Sequence, residues 1–220
     1  MSAQPATTTS MDLARHIAKD GLEPLQRRLL CDPPLLPLVP RRGDFDLNPE
    51  IPQERARVLQ PAAVLIPIVR RPRPTVLFTQ RTDHLARHAG QVSFPGGRVH
   101  EGDVSLVETA LRETAEETGI TPGFVSVAGF LEPYETGTGF AILPVVGLLA
   151  EGFPLAPNPE EVAEIFEVPL DFLFEPVNRE RRSAEWQGRR REFYAFTYEG
   201  HYIWGATAAI LVDFVERMRG

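Results

Sequence analysis

Gly96 to Ile120 reads GGRVHEGDVSLVETALRETAEETGI, and the fold of the chain turns on how this stretch is understood. At about 100° per residue, its second half forms one amphipathic helix. Val104, Val107, Leu111, Ala115 and Thr118 fall on one side, which predicts a face packed on a core. Glu113, Glu116 and Glu117 fall on roughly the opposite side, at spacings i, i+3 and i+4. Like charges so spaced destabilise a helix by ~0.2–0.5 kcal/mol per pair in water, and by more in a cleft of lower dielectric. A solvated acidic face tolerates that cost. A hard divalent cation removes it, because Mg²⁺ takes oxygen ligands and commonly bridges to substrate phosphates.

The flanking residues favour the cation. Pro95-Gly96-Gly97 precedes the helix, and glycine permits close backbone approaches closed to other residues. Asp103 or Ser105 supplies an N-cap, with Glu108 completing a capping box. Gly119 suits the C′ position, followed by the apolar Ile120. Arg112 interrupts the acidic run within reach of Glu108 or Glu116.

Working outward, Ala62–Val69 reads as a buried strand, 70–74 (RRPRP) as a turn, and Thr75–Arg81 as the paired strand. Phe124–Leu131 and Phe140–Leu149 are further strands, with Pro144 expected at a bulge or edge. Pro159–Phe166 reads as a short acidic helix and Pro169–Phe174 as another helical turn. Arg182–Trp186 and Arg190–Tyr198 form a hairpin around Gln187-Gly188. Thr207–Met218 closes the chain as an amphipathic helix with Ala208, Leu211, Val212 and Val215 inward. Upstream, Met11–Leu30 has helical periodicity, divided at Gly21. Pro33, Pro34, Pro37, Pro40 and Pro52 then impose an extended connector. Its Leu35, Leu36, Leu38 and Val39 are too apolar for a free linker and are expected to lie along the domain.

Mixed strands with two or three helices make an α/β sandwich. At 220 residues the chain suits one domain, residues 60–220, preceded by a helical and Pro-rich arm, residues 1–59. A net charge of −7 argues against a nucleic-acid partner, which needs a basic footprint. Local arginines still permit an anionic substrate. The single cysteine, Cys31, excludes an intrachain disulfide and supports neither a zinc site nor a thiol nucleophile. No apolar run approaches the ~18 residues that span a bilayer, and the first residues lack the order of a secretory signal. A cytoplasmic protein without a membrane partner is expected. His84 and His88 share a spacing but have no evident third ligand, so they read as solvated or hydrogen-bonded. His100 reads as a surface residue.

Gly97, Arg112-Glu113, Glu116-Glu117, Gly119 and Ile120 resemble the Nudix box, G-x5-E-x7-R-E-U-x-E-E-x-G-U, where U is a bulky aliphatic residue. The chain departs from it in three ways. Asp103 stands at the first glutamate, one residue is inserted before Arg112, and Thr114 replaces an aliphatic. The insertion precedes the glutamates, where a loop or first turn absorbs it. Thr79, Arg81, Gly90 and Phe94-Pro95-Gly96-Gly97 further resemble the element of the coenzyme A pyrophosphatase branch, with Arg87 one place from its second arginine. Ile203–Ala208 resembles that branch's C-terminal segment.

The resemblance implies a Nudix-type α/β/α sandwich with a mixed sheet. It also implies a Mg²⁺- or Mn²⁺-dependent hydrolase that splits the diphosphate of coenzyme A or its derivatives. Metal ligands would be Glu113, Glu116, Glu117 and the Gly97 carbonyl. The base would be Glu116, or Glu161 or Glu164 from the later acidic segment. Arg81, Arg87 and Arg98 would meet phosphate oxygens through forked hydrogen bonds. Phe140 and the loop from Tyr134 to Gly139 would line the pantetheine or adenine side. A homodimer is compatible with this reading. The rivals are a pyrophosphatase for another nucleoside diphosphate derivative, such as ADP-ribose, and a non-catalytic nucleotide sensor.

Overall fold

Two apolar ten-residue runs, QPAAVLIPIV and FAILPVVGLL, lie side by side at the centre of the sheet. The computed structural model describes residues 17, 19, 21–50, 58–84, 89–186 and 188–219. Its strands are β1 (Arg42–Gly43), β2 (Gln60–Val69), β3 (Thr75–Arg81), β4 (Val92–Ser93), β5 (Gly96–Arg98), β6 (Val125–Phe130), β7 (Tyr134–Glu135), β8 (Phe140–Leu149), β9 (Val162–Pro169), β10 (Glu180–Trp186), β11 (Arg189–Tyr198) and β12 (His201–Trp204). Its α-helices are α1 (Glu23–Gln26), α2 (Leu106–Thr118), α3 (Leu170–Phe174) and α4 (Gly205–Arg219).

β2 and β8 run parallel, from Gln60 opposite Phe140 to Val69 opposite Leu149. Strands buried on both faces read as continuous apolar runs, and these do. Ala63, Leu65, Ala141, Leu143 and Val145 meet Leu106 and Ala110 of α2 on one face. Ile66, Ile68, Ile142, Val146 and Leu148 share the other core with Leu211 and Phe214 of α4. The result is an α/β/α sandwich with a mixed sheet. β5 pairs antiparallel with the first half of β2, β3 with its end, and β9 with β3. β10, β11 and β12 form a separate antiparallel sheet. Among the described residues, no helix is long and apolar enough to cross a membrane.

Several expectations need correction. The segment expected as an acidic helix, Pro159–Phe166, is a turn followed by β9. Val162, Ile165, Phe166 and Val168 find a continuous partner strand in β3, and that pairing outweighs local helical character. Pro144 lies neither at an edge nor at a bulge. It sits inside β8, opposite Val64 of β2. β7 ends its pairing at Ile142 and β6 begins at Val145, so Pro144 faces the gap between them. Its carbonyl accepts from Leu131 N–H on that side, where the missing N–H leaves no ladder bond broken.

Of the connector's apolar residues only Leu38 is buried, and Leu35, Leu36 and Val39 are exposed. Cys31 is also exposed. The arm holds on by other means. Leu25 and Leu29 enter the main core, Leu30 bridges Phe130, and β1 adds to the sheet beside β7.

α2 is rotated from the expected facing. Val104 is 88% exposed, and the buried residues are Leu106, Thr109, Ala110, Thr114, Glu117 and Thr118. Thr114 and Thr118 donate to the carbonyls of Ala110 and Thr114 at 2.6 Å. Their hydroxyls are thereby satisfied within the helix, which lets them pack like aliphatic residues. Ser105 is the N-cap, accepting from Glu108 N–H, while the Glu108 carboxylate reaches Val104 N–H. This facing predicts that Leu106→Ala lowers unfolding free energy by about 2–5 kcal/mol, whereas Val104→Ala stays within about 0.5 kcal/mol. Urea denaturation of the two variants checks it, and equal losses would contradict the observed rotation.

Candidate active site

The site begins where β5 meets α2. Gly96 and Gly97 lie opposite Val64 and Ala63 of β2. A Cβ built on Gly97 would sit 2.4 Å from the Glu113 carboxyl carbon and 2.5 Å from its Oε2. The Glu113 carboxylate therefore lies flat against the glycine, and no larger residue leaves room for it. One turn later, the Glu117 carboxylate lies near the Gly96 N–H, which favours its charged form. The sandwich thus turns both carboxylates inward, onto the helix's sheet-facing side and not away from it.

Burial raises the pKa of Glu113, against the lowering effect of the Arg112 hydrogen bond. Glu117 is pushed up to about 8, first by burial, with the Arg81 guanidinium pulling the other way and Glu113 and Glu161 adding like charge. Arg81 Nη1 lies 3.9 Å from Glu117 Oε1. Among the described residues, Glu117 Oε2 and Arg81 Nε are buried with no hydrogen-bond partner. An unpaired buried carboxylate oxygen is costly. That orphaned oxygen, beside a second buried carboxylate, fits the hard oxygen donor set that Mg²⁺ or Mn²⁺ prefers.

Arg112 organises the neighbouring acids. Its Nε and Nη2 donate to the two Asp103 oxygens at 2.9 and 3.0 Å. Its Nη1 lies 2.9 Å from Glu113 Oε1 and 3.0 Å from Glu116 Oε2, and Nη2 reaches the Arg98 carbonyl at 3.3 Å. This fork holds the Asp103 carboxyl well below the usual carboxylate range. Asp103 is thus the anchor for the arginine, a role its spacing of nine residues from Arg112 leaves open in sequence. Glu108 does not pair with Arg112. Glu116 is 55% exposed and turned to Arg112, so Glu113 and Glu117 converge while Glu116 stands aside. Among the described residues, no three His, Cys, Asp or Glu side chains close on a single point.

The other candidates separate by face. Asn158 N–H donates to the Glu117 carbonyl at 3.0 Å, and Glu161 N–H donates to the Asn158 carbonyl. Glu161 O accepts from Thr82 N–H, so Glu161 is tied between the end of α2 and the end of β3. Glu164 shares strand parity with Phe166 and turns to His201, whose Nε2 lies 3.1 Å from its carboxylate and whose ring stacks on Phe166. It therefore lies on the sheet face away from Glu117. Arg98 extends over the Phe140 ring, 5.1 Å from its centroid. Phe140 shares the parity of Ile142, so this pair also looks away from α2. Arg87 and His88 lie outside the described residues. His84 Nε2 lies 3.5 Å from Thr82 Oγ1. Sequence reasoning missed Gly96 N–H, Asn158 and Thr82, whose roles depend on backbone groups carrying no side-chain signature.

The buried, underpaired Glu117 makes stability pH-dependent in chelator. Its folded pKa of about 8 lies above the ordinary 4.5, so the folded chain keeps a proton that the unfolded chain releases. The cost of deprotonation is absent below pH 4.5 and grows as pH rises to about 8. Glu117→Gln should match the parent in melting temperature at the acid end and exceed it at the alkaline end. Added Mg²⁺ should raise the melting temperature of the parent and leave the variant unmoved. Thermal scans at several pH values check both.

Comparison with known proteins places the chain in a family. The NUDIX domain model matches residues 59–190. The chain is 46% identical over 150 residues to the "Uncharacterized Nudix hydrolase NudL" of Pectobacterium atrosepticum, covering 68% of this chain and 78% of that one. It is 47% identical over 153 residues to the protein of the same name from Yersinia enterocolitica, covering 68% and 77%. Among solved structures, the NUDIX domain of Shewanella oneidensis NrtR, complexed with ADP ribose, aligns with a TM-score of 0.42 at 20% identity, over 60% of this chain and 86% of that one. The family match, a mixed sheet between helices, and Glu113 and Glu117 seated on the Gly96-Gly97 strand converge on one assignment: the chain belongs to the Nudix family.

Proposed function

We propose that this Nudix hydrolase cleaves the diphosphate linkage of coenzyme A and its derivatives, giving 3′,5′-ADP and 4′-phosphopantetheine or its acyl form. The observation that carries the hydrolytic reading is the unpartnered Glu117 Oε2 beside Glu113 on Gly97. Glu113, Glu117 and the Gly97 carbonyl would hold Mg²⁺ or Mn²⁺, with Glu116 joining when it leaves Arg112. When bound, the ion supplies Lewis acidity toward the diphosphate and toward water. The chain's own residues do the rest. Arg112 fixes Glu113 and keeps Glu116 within reach. Arg81, partly exposed and short of a partner at Nε, turns a cation toward the same cleft. Glu161 or Glu116 takes the proton of the attacking water. Glu161 is favoured by its tether beside Glu117, whereas Glu164 faces away.

The choice of coenzyme A rests on Thr79, Arg81, Gly90 and the Phe94–Gly97 run, together with Ile203–Ala208. Arg98 over Phe140 offers a cation and a ring at a distance from the carboxylates, which suits a long substrate with anionic and apolar parts. Cleavage of another nucleoside diphosphate derivative is the nearest rival. Loss of catalysis in a sensing module is disfavoured, because Glu113, Glu116 and Glu117 are all retained.

A substrate panel in Mg²⁺ should show coenzyme A turned over faster than ADP-ribose, and the reverse order would reject the substrate. Mass spectra of the products formed in H₂¹⁸O identify which phosphorus is attacked. Glu117→Gln should lower kcat by at least ~100-fold. Of Glu161→Gln and Glu116→Gln, the variant lacking the base should lose ~10²–10⁴-fold in kcat. If both retain parental kcat, the base lies elsewhere.

A further inference from the structure

Among the described residues, β10 is an outer strand of the small sheet and pairs only with β11, in unbroken register from Glu180 opposite Ala195 to Trp186 opposite Arg189. It contains no proline and no bulge, the usual devices that blunt an edge, and residues 181–186 are exposed. Its backbone orientation follows from the hairpin. A two-residue connection is flanked by a pair that exchanges hydrogen bonds, here Trp186 and Arg189. Alternation then turns the N–H and C=O groups of Glu180, Arg182, Ala184 and Trp186 toward β11. Those of Arg181, Ser183 and Glu185 point outward.

We propose that this edge pairs with the same edge of a second copy of the chain, antiparallel, about a two-fold axis through Ser183. That axis places Arg181 opposite Glu185 of the second copy, Ser183 opposite Ser183, and Glu185 opposite Arg181. All three positions are those whose backbone groups face outward, so the pairing closes as a regular hydrogen-bonded ladder. It also sets opposite charges across from each other twice, by symmetry. A C₂ contact is self-complementary in this way. A parallel pairing in the same register would set Arg181 on Arg181 and Glu185 on Glu185, which cross-strand repulsion disfavours. Within one chain, Arg181 already contacts Glu192 on β11. Glu185 of the second copy would therefore extend an alternating acid–base row across the joined sheets. The charges that elsewhere deter edge pairing here select one partner and one register.

Sedimentation velocity at micromolar concentration reads the outcome. The parent should sediment with twice the 24.5 kDa chain mass. Ser183→Pro removes an outward N–H and leaves the β11 ladder intact, so it should sediment as monomer with unchanged melting temperature. Arg181→Glu and Glu185→Arg should each weaken association by about tenfold or more, and the double swap should return it to near the parental value. A monomeric parent, a dimer insensitive to Ser183→Pro, or a double swap no better than either single variant would overturn the proposal. Should Ser183→Pro not fold, the charge-swap series decides alone.

Discussion

Everything in the site depends on how closely α2 approaches β5. With no Cβ at Gly97, the Glu113 carboxylate lies against the strand backbone, and the Glu117 carboxylate lies near the Gly96 N–H. The approach places two acids in a region that excludes water on the sheet side. Neither would be stable there as an isolated charge. Arg112 answers part of that cost for Glu113, and Arg81, at 3.9 Å, answers less of it for Glu117. The residual demand for positive charge is what the proposed cation would meet.

The surroundings hold this costly arrangement in place. Gly119 adopts φ +79° at the helix C-cap, and its missing Cβ leaves space for Ala156, which donates to the Thr118 carbonyl. Asn158 takes the Glu117 carbonyl in the same way. The carbonyls at the end of α2, which no intrahelical donor can reach, thus recruit the loop that carries Glu161. The arm is secured on the opposite side. Arg42 pairs with the buried Asp213 of α4, Tyr134 donates to Asp44, and the buried Asn48 exchanges hydrogen bonds with the backbone of Glu192. A segment rich in proline, whose one described strand is the two-residue β1, is held by side-chain contacts with three different elements.

Much of this was legible in the residues. The apolar runs at 62–69 and 140–149 specify central strands, because burial on both faces removes the need for polar alternation. The hairpin around Gln187-Gly188 and the final helix follow from turn chemistry and from a 3.6-residue period. Misreadings arose where partners distant in sequence decide. Pro159–Phe166 carries Glu160, Glu161 and Glu164 and so resembles a helix start, yet from Val162 onward it pairs with β3 and becomes a strand. Val104 extends the apolar period of α2 but lies before the helix begins, and the core is met by Leu106 instead.

The sequence alone determined the family, the sandwich and the identity of the acids, since each rests on local spacing: glycines before a helix, glutamates at fixed angular steps, apolar runs of strand length. Only the tertiary structure decided which acids are buried together, that Asp103 anchors Arg112, that the backbone of Glu161 is tied beside the end of α2 while Glu164 turns to His201, and that Arg98 lies over Phe140. These depend on the rotation of α2 and the pairing of β3 with β9. Helix rotation and strand pairing are set by contacts between residues far apart along the chain, and no local pattern encodes them.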